Sequence, residues 1–460
     1  MLNRRTFTAS SLAAIAFAGL ARRSWAQTGE GSYRNEVPGY GDLAADPAGL
    51  LDLPPGFSYS VVSSAGEVMD DGYFAPESFD GMGCFPLDGR RVALVRNHEL
   101  QAGMIGVGPT GGRPALIERL RGEPHYGRDA EGRPLPGGTS TIVYDLAGGR
   151  REQQYLSLAG TVVNCAGGST PWGSWLSCEE NTSRDGEVAQ AHGWVFDVPA
   201  RQRGLVRPVP LRGLGRYRHE AAAVDPDTGI VYLTEDRTDS LFYRFVPERP
   251  GELQGPGRLQ ALAIADLAGA DTRNWEAATI APRSRHAVRW IDMDEPESPQ
   301  DDLRTRGHAA GAAIFARGEG IHRGEGDYYF CCTSGGVARL GQIFRYMPSP
   351  HEGHPGEDLE PGHLDLFVES TDPRVLDYAD NVTVAPWGHL VVCEDRADGG
   401  PCHLKGVTPD GRLYTLARLN WDTELAGACF SPDGATMFLN VYRPGRTLAI
   451  RGPWRDVRAA

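Results

Sequence analysis

Short polar clusters recur along this chain, each directly after a run of apolar residues, and further polar residues precede the same runs. The two series together comprise Asp80, Asn97, Glu99, Asn164, Cys178, Glu179, Glu220, Glu235, Asp236, Arg317, Glu319, Asp380, Asn381, Glu394, Asp395 and Glu424. Carboxylates that gather at one place must be protonated or neutralised, because like charges out of water repel one another strongly. The residue types therefore predict a cation-binding site, provided that the fold brings the clusters together.

Different members of this set are suited to different ions. Carboxylate and amide oxygens are the ligands that calcium prefers, and a thiolate such as Cys178 among carboxylates suits a transition ion such as iron. Arg317 would be available for an anion. Lys405 is the only lysine in the chain, so any oxyanion would have to be bound mainly by arginine.

The polar clusters are positioned by a hairpin that recurs six times. Each copy has a strand rich in small residues, a turn with glycine, and a second, apolar strand, as in Ser431-Pro432-Asp433-Gly434 followed by Thr436-Met437-Phe438-Leu439. The copies begin at residues 80, 164, 220, 319, 380 and 424. Six such hairpins predict an all-β fold, a six-bladed β-propeller, in which each hairpin forms the inner two strands of a blade.

The loops between hairpins are of unequal length. The longest insertions, around 100–138 and 250–313, are polar and are predicted to cover one face, with a short helix at 114–121. The first and last residues of a hairpin lie at the same end, so both series of polar residues should meet at one mouth of the central channel.

Each residue taken alone has a simpler interpretation. Polar residues commonly end strands, and Asp and Asn commonly cap turns. Cys178 alone is typical of a buried thiol or half of a disulfide, and His98 and His219 alone are typical of structural histidines. The recurrence of the whole set in register favours a site.

The first 26 residues have the features of an export signal. They contain the twin arginine Arg4-Arg5, an apolar stretch too short to span a membrane, and the cleavage-type sequence Ser24-Trp25-Ala26. We therefore expect a signal peptide over 1–26, a single catalytic domain over 27–460 without a transmembrane segment, export by the twin-arginine machinery and a periplasmic or extracellular location. An uncleaved N-terminal anchor is the alternative.

The mature chain is strongly acidic. Loss of the four arginines in the signal segment takes the formal charge from −14 to −18, which argues against nucleic acid as a partner. The chain has eight cysteines, whose pairing the sequence leaves open.

In this pattern the chain resembles the PhoX family of alkaline phosphatases. The resemblance rests on the twin-arginine signal and on motifs distributed over most of the mature chain. The motifs are Asn97-His98-Glu99, Asn164-Cys-Ala-Gly-Gly-Ser-Thr-Pro-Trp-Gly173, Cys178-Glu179-Glu180-Asn181, His219-Glu220, Arg317-Gly-Glu319, Asp380-Asn381 and Cys393-Glu394-Asp395-Arg396.

The resemblance implies a six-bladed propeller that holds Fe³⁺ and Ca²⁺ and hydrolyses a broad range of small phosphate monoesters. We also expect the protein to be a monomer. It implies that Cys178 is the iron ligand and Arg317 clamps the phosphate. It also implies a set of metal ligands. Glu220 and Glu319 would bridge metals, and calcium would be held by Asp380, Glu394 and Asp395. The two remaining predicted ligands are Asp236 and Glu99.

Two other functions are compatible with a propeller that has an acidic mouth. A calcium-dependent propeller lactonase would need one catalytic metal and no cysteine ligand, so Cys178→Ala would then be nearly silent. A non-catalytic secreted propeller would use calcium for rigidity and would not hydrolyse an aryl phosphate.

Overall fold

The computed structural model describes residues 31–183, 188–396 and 400–458 of the chain. The predicted signal segment therefore lies outside the described residues, and its cleavage stays a prediction. Within the described ranges, no helix is both long enough and apolar enough to cross a membrane.

The described chain is mostly β-structure, with two short α-helices. The helices are α1 (Pro114–Arg121) and α2 (Leu303–Ala309). The strands of the first half are β1 (Leu51–Asp52), β2 (Ser58–Ser64), β3 (Phe79–Pro86), β4 (Arg91–His98), β5 (Gly137–Asp145), β6 (Arg150–Thr161), β7 (Asn164–Ser169), β8 (Ser174–Glu179), β9 (Val195–Pro199), β10 (His219–Val224), β11 (Val231–Glu235) and β12 (Tyr243–Pro247). The strands of the second half are β13 (Gly257–Ile264), β14 (Arg285–Asp292), β15 (Gly318–Arg323), β16 (Tyr328–Cys332), β17 (Gln342–Met347), β18 (His363–Glu369), β19 (Ala379–Val384), β20 (Leu390–Glu394), β21 (His403–Val407), β22 (Leu413–Leu419), β23 (Leu425–Phe430), β24 (Thr436–Val441) and β25 (Arg446–Arg451).

These strands form six antiparallel blades. From the channel outwards, the blades are β3-β4-β5-β6, β7-β8-β9, β10-β11-β12-β13, β15-β16-β17-β18, β19-β20-β21-β22 and β23-β24-β25. The six innermost strands contact one another in a closed ring, in which β23 meets β3. The prediction of a six-bladed β-propeller built on the six hairpins is confirmed.

The N-terminal segment closes the ring. Strand β2 pairs with β25 and forms the outer strand of the sixth blade, and β1 pairs with β22 at the outer edge of the fifth. Residues from opposite ends of the chain thus complete the last two blades, which leaves fewer strand edges unpaired.

The inner strands lie so close together that small residues are required. A Cβ atom on Gly168 would lie 1.9 Å from the Ala222 carbonyl oxygen, and one on Gly320 would lie 2.7 Å from the Val382 nitrogen. The second strand of each blade is instead buried on both faces, and apolar clusters fill the space between neighbouring blades.

The insertions contain more structure than the sequence predicted. The helix predicted at 114–121 is present as α1. The region 250–313, predicted as loop, contains α2 and two strands, of which β14 pairs with both β13 and β18. This pairing joins the third and fourth blades into one nine-stranded sheet. Strand β14 was missed because only one of its residues is buried, so it shows no apolar run.

Candidate functional site

A bend in the backbone aims one side chain of each inner strand into the mouth of the channel. In five hairpins the strand register shifts directly after the first pair, as between Asn164 and Gly167 in β7, so that one residue bulges out of the ladder. We call the bulge residues, with their sixth-blade equivalent, the inner ring: Asp80, Cys165, Glu220, Glu319, Asp380 and Ala426.

A second series of side chains surrounds this ring. In every blade, the residue after the second strand donates its backbone N–H to the carbonyl two residues before the inner-ring residue, as Glu180 does to Val163 at 2.8 Å. The six distances lie between 2.8 and 3.2 Å, so the six blades are equivalent here. We call these residues the outer ring: Glu99, Glu180, Asp236, Thr333, Asp395 and Tyr442.

The two rings bring potential metal ligands together in three groups. Within each group, one ligand atom of every member lies within 4.8 Å of the others. The groups are Asp80-Glu99-Cys165, Cys165-Glu180-Glu220 and Glu220-Glu319-Asp380. Because Cys165 and Glu220 are each shared by two groups, the three form one continuous cluster around the mouth.

The cluster is too acidic to remain fully charged in the absence of cations. Burial, together with neighbouring carboxylates, raises the pKa values of Asp80, Glu220 and Glu319 well above their ordinary range. The same causes raise the pKa of Asp380 to about 7, and burial raises that of the Cys165 thiol.

Glu220 shows most directly that a cation fits here. The residue is fully buried, and neither of its carboxylate oxygens has a hydrogen-bond partner among the described residues. Leaving a buried carboxylate unpaired is very costly, whereas a bound cation would satisfy both oxygens. The donor set, which is carboxylate oxygens with one thiol, fits calcium and one softer transition ion.

Arg317 lies at the edge of this cluster and is held by two of its carboxylates. Its Nε donates to Asp236 Oδ1 at 2.8 Å, and its Nη2 lies 2.9 Å from Glu319 Oε1. Glu319, and after it Asp236, raise the pKa of Arg317 despite its burial, so the guanidinium stays charged. Nη1 has no partner in the described part of the chain, which leaves one face of the fork for an anion.

The structure does not bring Cys178 to the mouth. Cys178 lies within β8, where its side chain is fully buried in the apolar cluster that contains Val195 and Tyr217. It contributes to none of the three ligand groups found among the described residues. The cysteine at the mouth is Cys165, whose Sγ lies 3.7 Å from Asp80 Oδ2. Cys165 reaches the mouth because it is the bulge residue of β7, and strand alternation alone does not indicate this.

Glu394 is likewise not at the mouth. Its Oε2 accepts hydrogen bonds from the backbone N–H (2.9 Å) and ring Nδ1 (2.8 Å) of His403, and its Oε1 lies 3.6 Å from Lys405 Nζ. Glu179 has the same role in the second blade, where it binds His192. In each acidic pair, the first residue therefore stabilises the blade and the second belongs to the outer ring. Lys405, the only lysine of the chain, is engaged in this buried ion pair.

The other predicted residues do lie at the mouth. Glu220, Glu319 and Asp380 are in the inner ring, and Glu99, Asp236 and Asp395 are in the outer ring. Glu180 completes one of the ligand groups and was not singled out by the sequence as a ligand. Its signal was present in the repeat, since it is the second member of an acidic pair, as Asp236 and Asp395 are.

Glu394 provides a prediction about stability. Burial alone would raise the pKa of this carboxyl, but Lys405 and His403 hold it below its ordinary range. The stabilisation is therefore present above the ordinary pKa of a glutamate and is lost as the pH falls through the lowered value. Glu394→Gln should lower the free energy of unfolding at pH 7 by about 3 kcal/mol, because it leaves the buried charge of Lys405 without its carboxylate partner.

Urea denaturation at pH 7 would measure this effect. Glu131→Gln, which removes an exposed carboxylate paired with Arg133, is the control and should change the stability little. If Glu394→Gln left the stability unchanged and removed bound calcium instead, Glu394 would be a metal ligand and not a stabilising residue.

The raised carboxyl pKa values predict a pH-dependent response to calcium. Protons and cations compete for the same oxygens, so calcium should stabilise the metal-depleted protein more at pH 8 than at pH 6. The melting temperature with and without calcium at each pH measures this. Histidines and surface groups affect the melting temperature equally with and without calcium, so their contributions cancel in the difference. An equal rise in melting temperature at both values would contradict a carboxylate site.

Comparisons with known proteins agree with this architecture. The model of the family described as alkaline phosphatase PhoX matches residues 38–445. The structure of PhoX from Pseudomonas fluorescens, in complex with vanadate as a transition state analogue, aligns with a TM-score of 0.65 at 18% identity. The alignment covers 91% of this chain and 97% of that one.

Two other solved structures align with lower TM-scores. They are the Cps50 (Swd1) β-propeller domain of Myceliophteria thermophila (TM-score 0.42, 11% identity, 86% and 99% coverage) and the gluconolactonase XC5397 of Xanthomonas campestris (0.33, 14%, 86% and 100%). These similarities are too weak to bear on function. No curated protein matches the sequence. The family match covers most of the chain, so the chain belongs to the PhoX family of alkaline phosphatases and is a phosphomonoesterase of a metal-dependent family.

Proposed function

We propose that this enzyme is exported by the twin-arginine route and hydrolyses small phosphate monoesters outside the cytoplasm, with Ca²⁺ and Fe³⁺ bound at the mouth of the propeller. The continuous ligand cluster is the observation that carries the proposal. Its three groups share Cys165 and Glu220, and Arg317 lies against it. A single calcium ion, as in the lactonase alternative, would leave most of this cluster uncompensated.

The ligand roles follow from the geometry. Cys165, in place of Cys178, is the residue suited to iron, because it supplies the only thiol in the three described groups. Glu220 is suited to bridging two ions, because it belongs to two groups and both of its oxygens are unpaired. Asp380 and Asp395 supply oxygens suited to calcium. Bound metal ions supply charge neutralisation for the phosphate and a nucleophile at moderate pH.

Arg317 is the residue of this chain that contacts the phosphate in the proposal. Asp236 and Glu319 fix its guanidinium from one side before any substrate binds. An arginine that is already oriented stabilises the negative charge on the equatorial oxygens without having to reorganise during the reaction. The two carboxylates are therefore positioning residues, and the unused Nη1 faces the substrate.

Phosphate release from an aryl phosphate at alkaline pH tests this function. Wild-type protein should lose activity on exhaustive chelation and regain it when calcium and iron are returned together. Elemental analysis of the untreated protein should find both metals. Full turnover by the chelated protein, or hydrolysis of a lactone in preference to the phosphate ester, would contradict the proposal.

Cell fractionation of the native host tests the export, and retention in the cytoplasm would contradict it.

A further inference from the structure

The sixth blade departs from the pattern of the other five. Its inner-ring residue is Ala426 and its outer-ring residue is Tyr442, so neither ring has a carboxylate or thiol in this sector. Glu424, two residues before Ala426, is hydrogen-bonded to Asp395 of the fifth blade. The metal-ligating groups lie in the sectors of the other blades. The sixth blade thus contributes no residue to the three ligand groups.

Arg443 follows Tyr442 and extends over this sector. Its Nε donates to Ser78 Oγ at 3.0 Å and its Nη2 to the Tyr442 hydroxyl at 3.3 Å. The guanidinium carbon lies 4.9 Å from the centre of the Tyr442 ring. Two neutral side chains from adjacent blades therefore hold a solvent-exposed guanidinium in place at the rim.

What distinguishes Arg443 is that it has no acidic partner. The arginines at the equivalent position of two other blades are paired, Arg237 with Asp301 at 2.7 Å and Arg396 with Asp377 at 2.9 Å. Within the described ranges, no carboxylate oxygen lies within 4.0 Å of an Arg443 nitrogen. The carboxyl group of Glu99 is near, but it is hydrogen-bonded to the Tyr442 hydroxyl instead.

Arg443 and Arg317 belong to different blades. The fifth blade lies between the fourth, which carries Arg317, and the sixth, which carries Arg443. A phosphate held against Arg317 and the ligand cluster leaves its ester group to extend across the mouth. The sector of the sixth blade offers that group the fixed positive charge of Arg443.

We propose that Arg443, held in place by Ser78 and Tyr442, forms a second anion subsite, which binds an acidic group on the alcohol portion of the substrate. The subsite rests on the proposed function, and it gives this enzyme a preference for phosphate monoesters that carry a further carboxylate or phosphate. Charge-assisted hydrogen bonds to a guanidinium are strong and directional, so the preference should be about tenfold or more.

Two matched esters test the subsite. They are 4-carboxyphenyl phosphate and the neutral 4-carbamoylphenyl phosphate, which have the same shape and similar leaving groups. Wild-type enzyme should have a higher kcat/KM for the carboxylate, and Arg443→Gln should reduce the ratio of the two values about tenfold. Arg443→Lys, which keeps the charge but loses the fork, should give an intermediate ratio.

Arg249→Gln is the control, because Arg249 is an exposed arginine in the loop between β12 and β13, at the opposite face of the propeller. It should leave the ratio at the wild-type value. An unchanged ratio in both Arg443 variants, or an equal reduction in the control, would overturn the subsite while the enzyme still hydrolyses both esters. Hydrolysis of neither ester by the wild type would instead overturn the proposed function itself.

Discussion

Replacing Cys165 by serine is expected to lower kcat for an aryl phosphate by more than about a hundredfold and to remove iron from the protein. Cys165 is the only thiol in the described ligand groups, and it belongs to two of the three. Changes to residues that merely support a metal ligand already cost about ten- to a hundredfold, so loss of the ligand itself should cost more. Steady-state kinetics and elemental analysis on the same preparation would measure both effects.

Cys178→Ala is the matched control. Both residues lie in the hairpin of the second blade, but Cys178 is buried in the apolar cluster between blades. Its truncation should cost some stability through loss of packing and should leave the metal content and kcat near wild type. The reverse result, an inactive Cys178→Ala protein without iron beside an active Cys165→Ser protein, would show that the thiolate assignment is wrong.

Arg317→Lys is expected to lower kcat/KM for phosphate esters by about a thousandfold, although the substitution keeps the positive charge. The guanidinium uses Nε and Nη2 to bind Asp236 and Glu319, and it has a further nitrogen for the phosphate. An ammonium group lacks this planar fork, so it cannot bind both carboxylates and the phosphate in the same geometry. Losses of two to three orders of magnitude are typical when an oriented donor to a transition state is removed.

Arg345→Lys provides the comparison, because Arg345 belongs to the same blade and is also paired with a carboxylate through two nitrogens, those facing Asp365. It lies on β17, away from both rings, and its substitution should leave kcat/KM unchanged. A loss of activity in Arg345→Lys equal to that in Arg317→Lys would indicate a general effect on folding. Full activity in Arg317→Lys would exclude Arg317 from phosphate binding.

The propeller could be predicted from the sequence because each blade repeats a local signal. Turn residues and apolar strands recur in every hairpin, and the two ends of a hairpin must lie together. This argument placed Glu220, Glu319 and Asp380 correctly at the mouth. The N-terminal closure by β2 was not predicted, because its partner β25 lies at the far end of the chain and its own sequence is largely serine.

The choice between neighbouring residues could not be made from the sequence. Cys165 and Cys178 both lie in the hairpin of the second blade, and only the bulge in β7 decides which of them faces the mouth. In the pair Glu394-Asp395, His403 and Lys405 on the next strand bind Glu394. Asp395 is therefore the member of the pair that lies at the mouth. Such details depend on contacts between blades and strands, and no periodicity within one hairpin reports them.

A crystal structure of the enzyme purified through its export route, soaked with vanadate and recorded at the iron absorption edge, would test the central claim most directly. We predict an anomalous iron peak bonded to Cys165 Sγ, calcium among the inner-ring carboxylates, and vanadate in contact with Arg317. An iron peak at Cys178, or a mouth in which vanadate binds without any metal ion and away from Arg317, would contradict it.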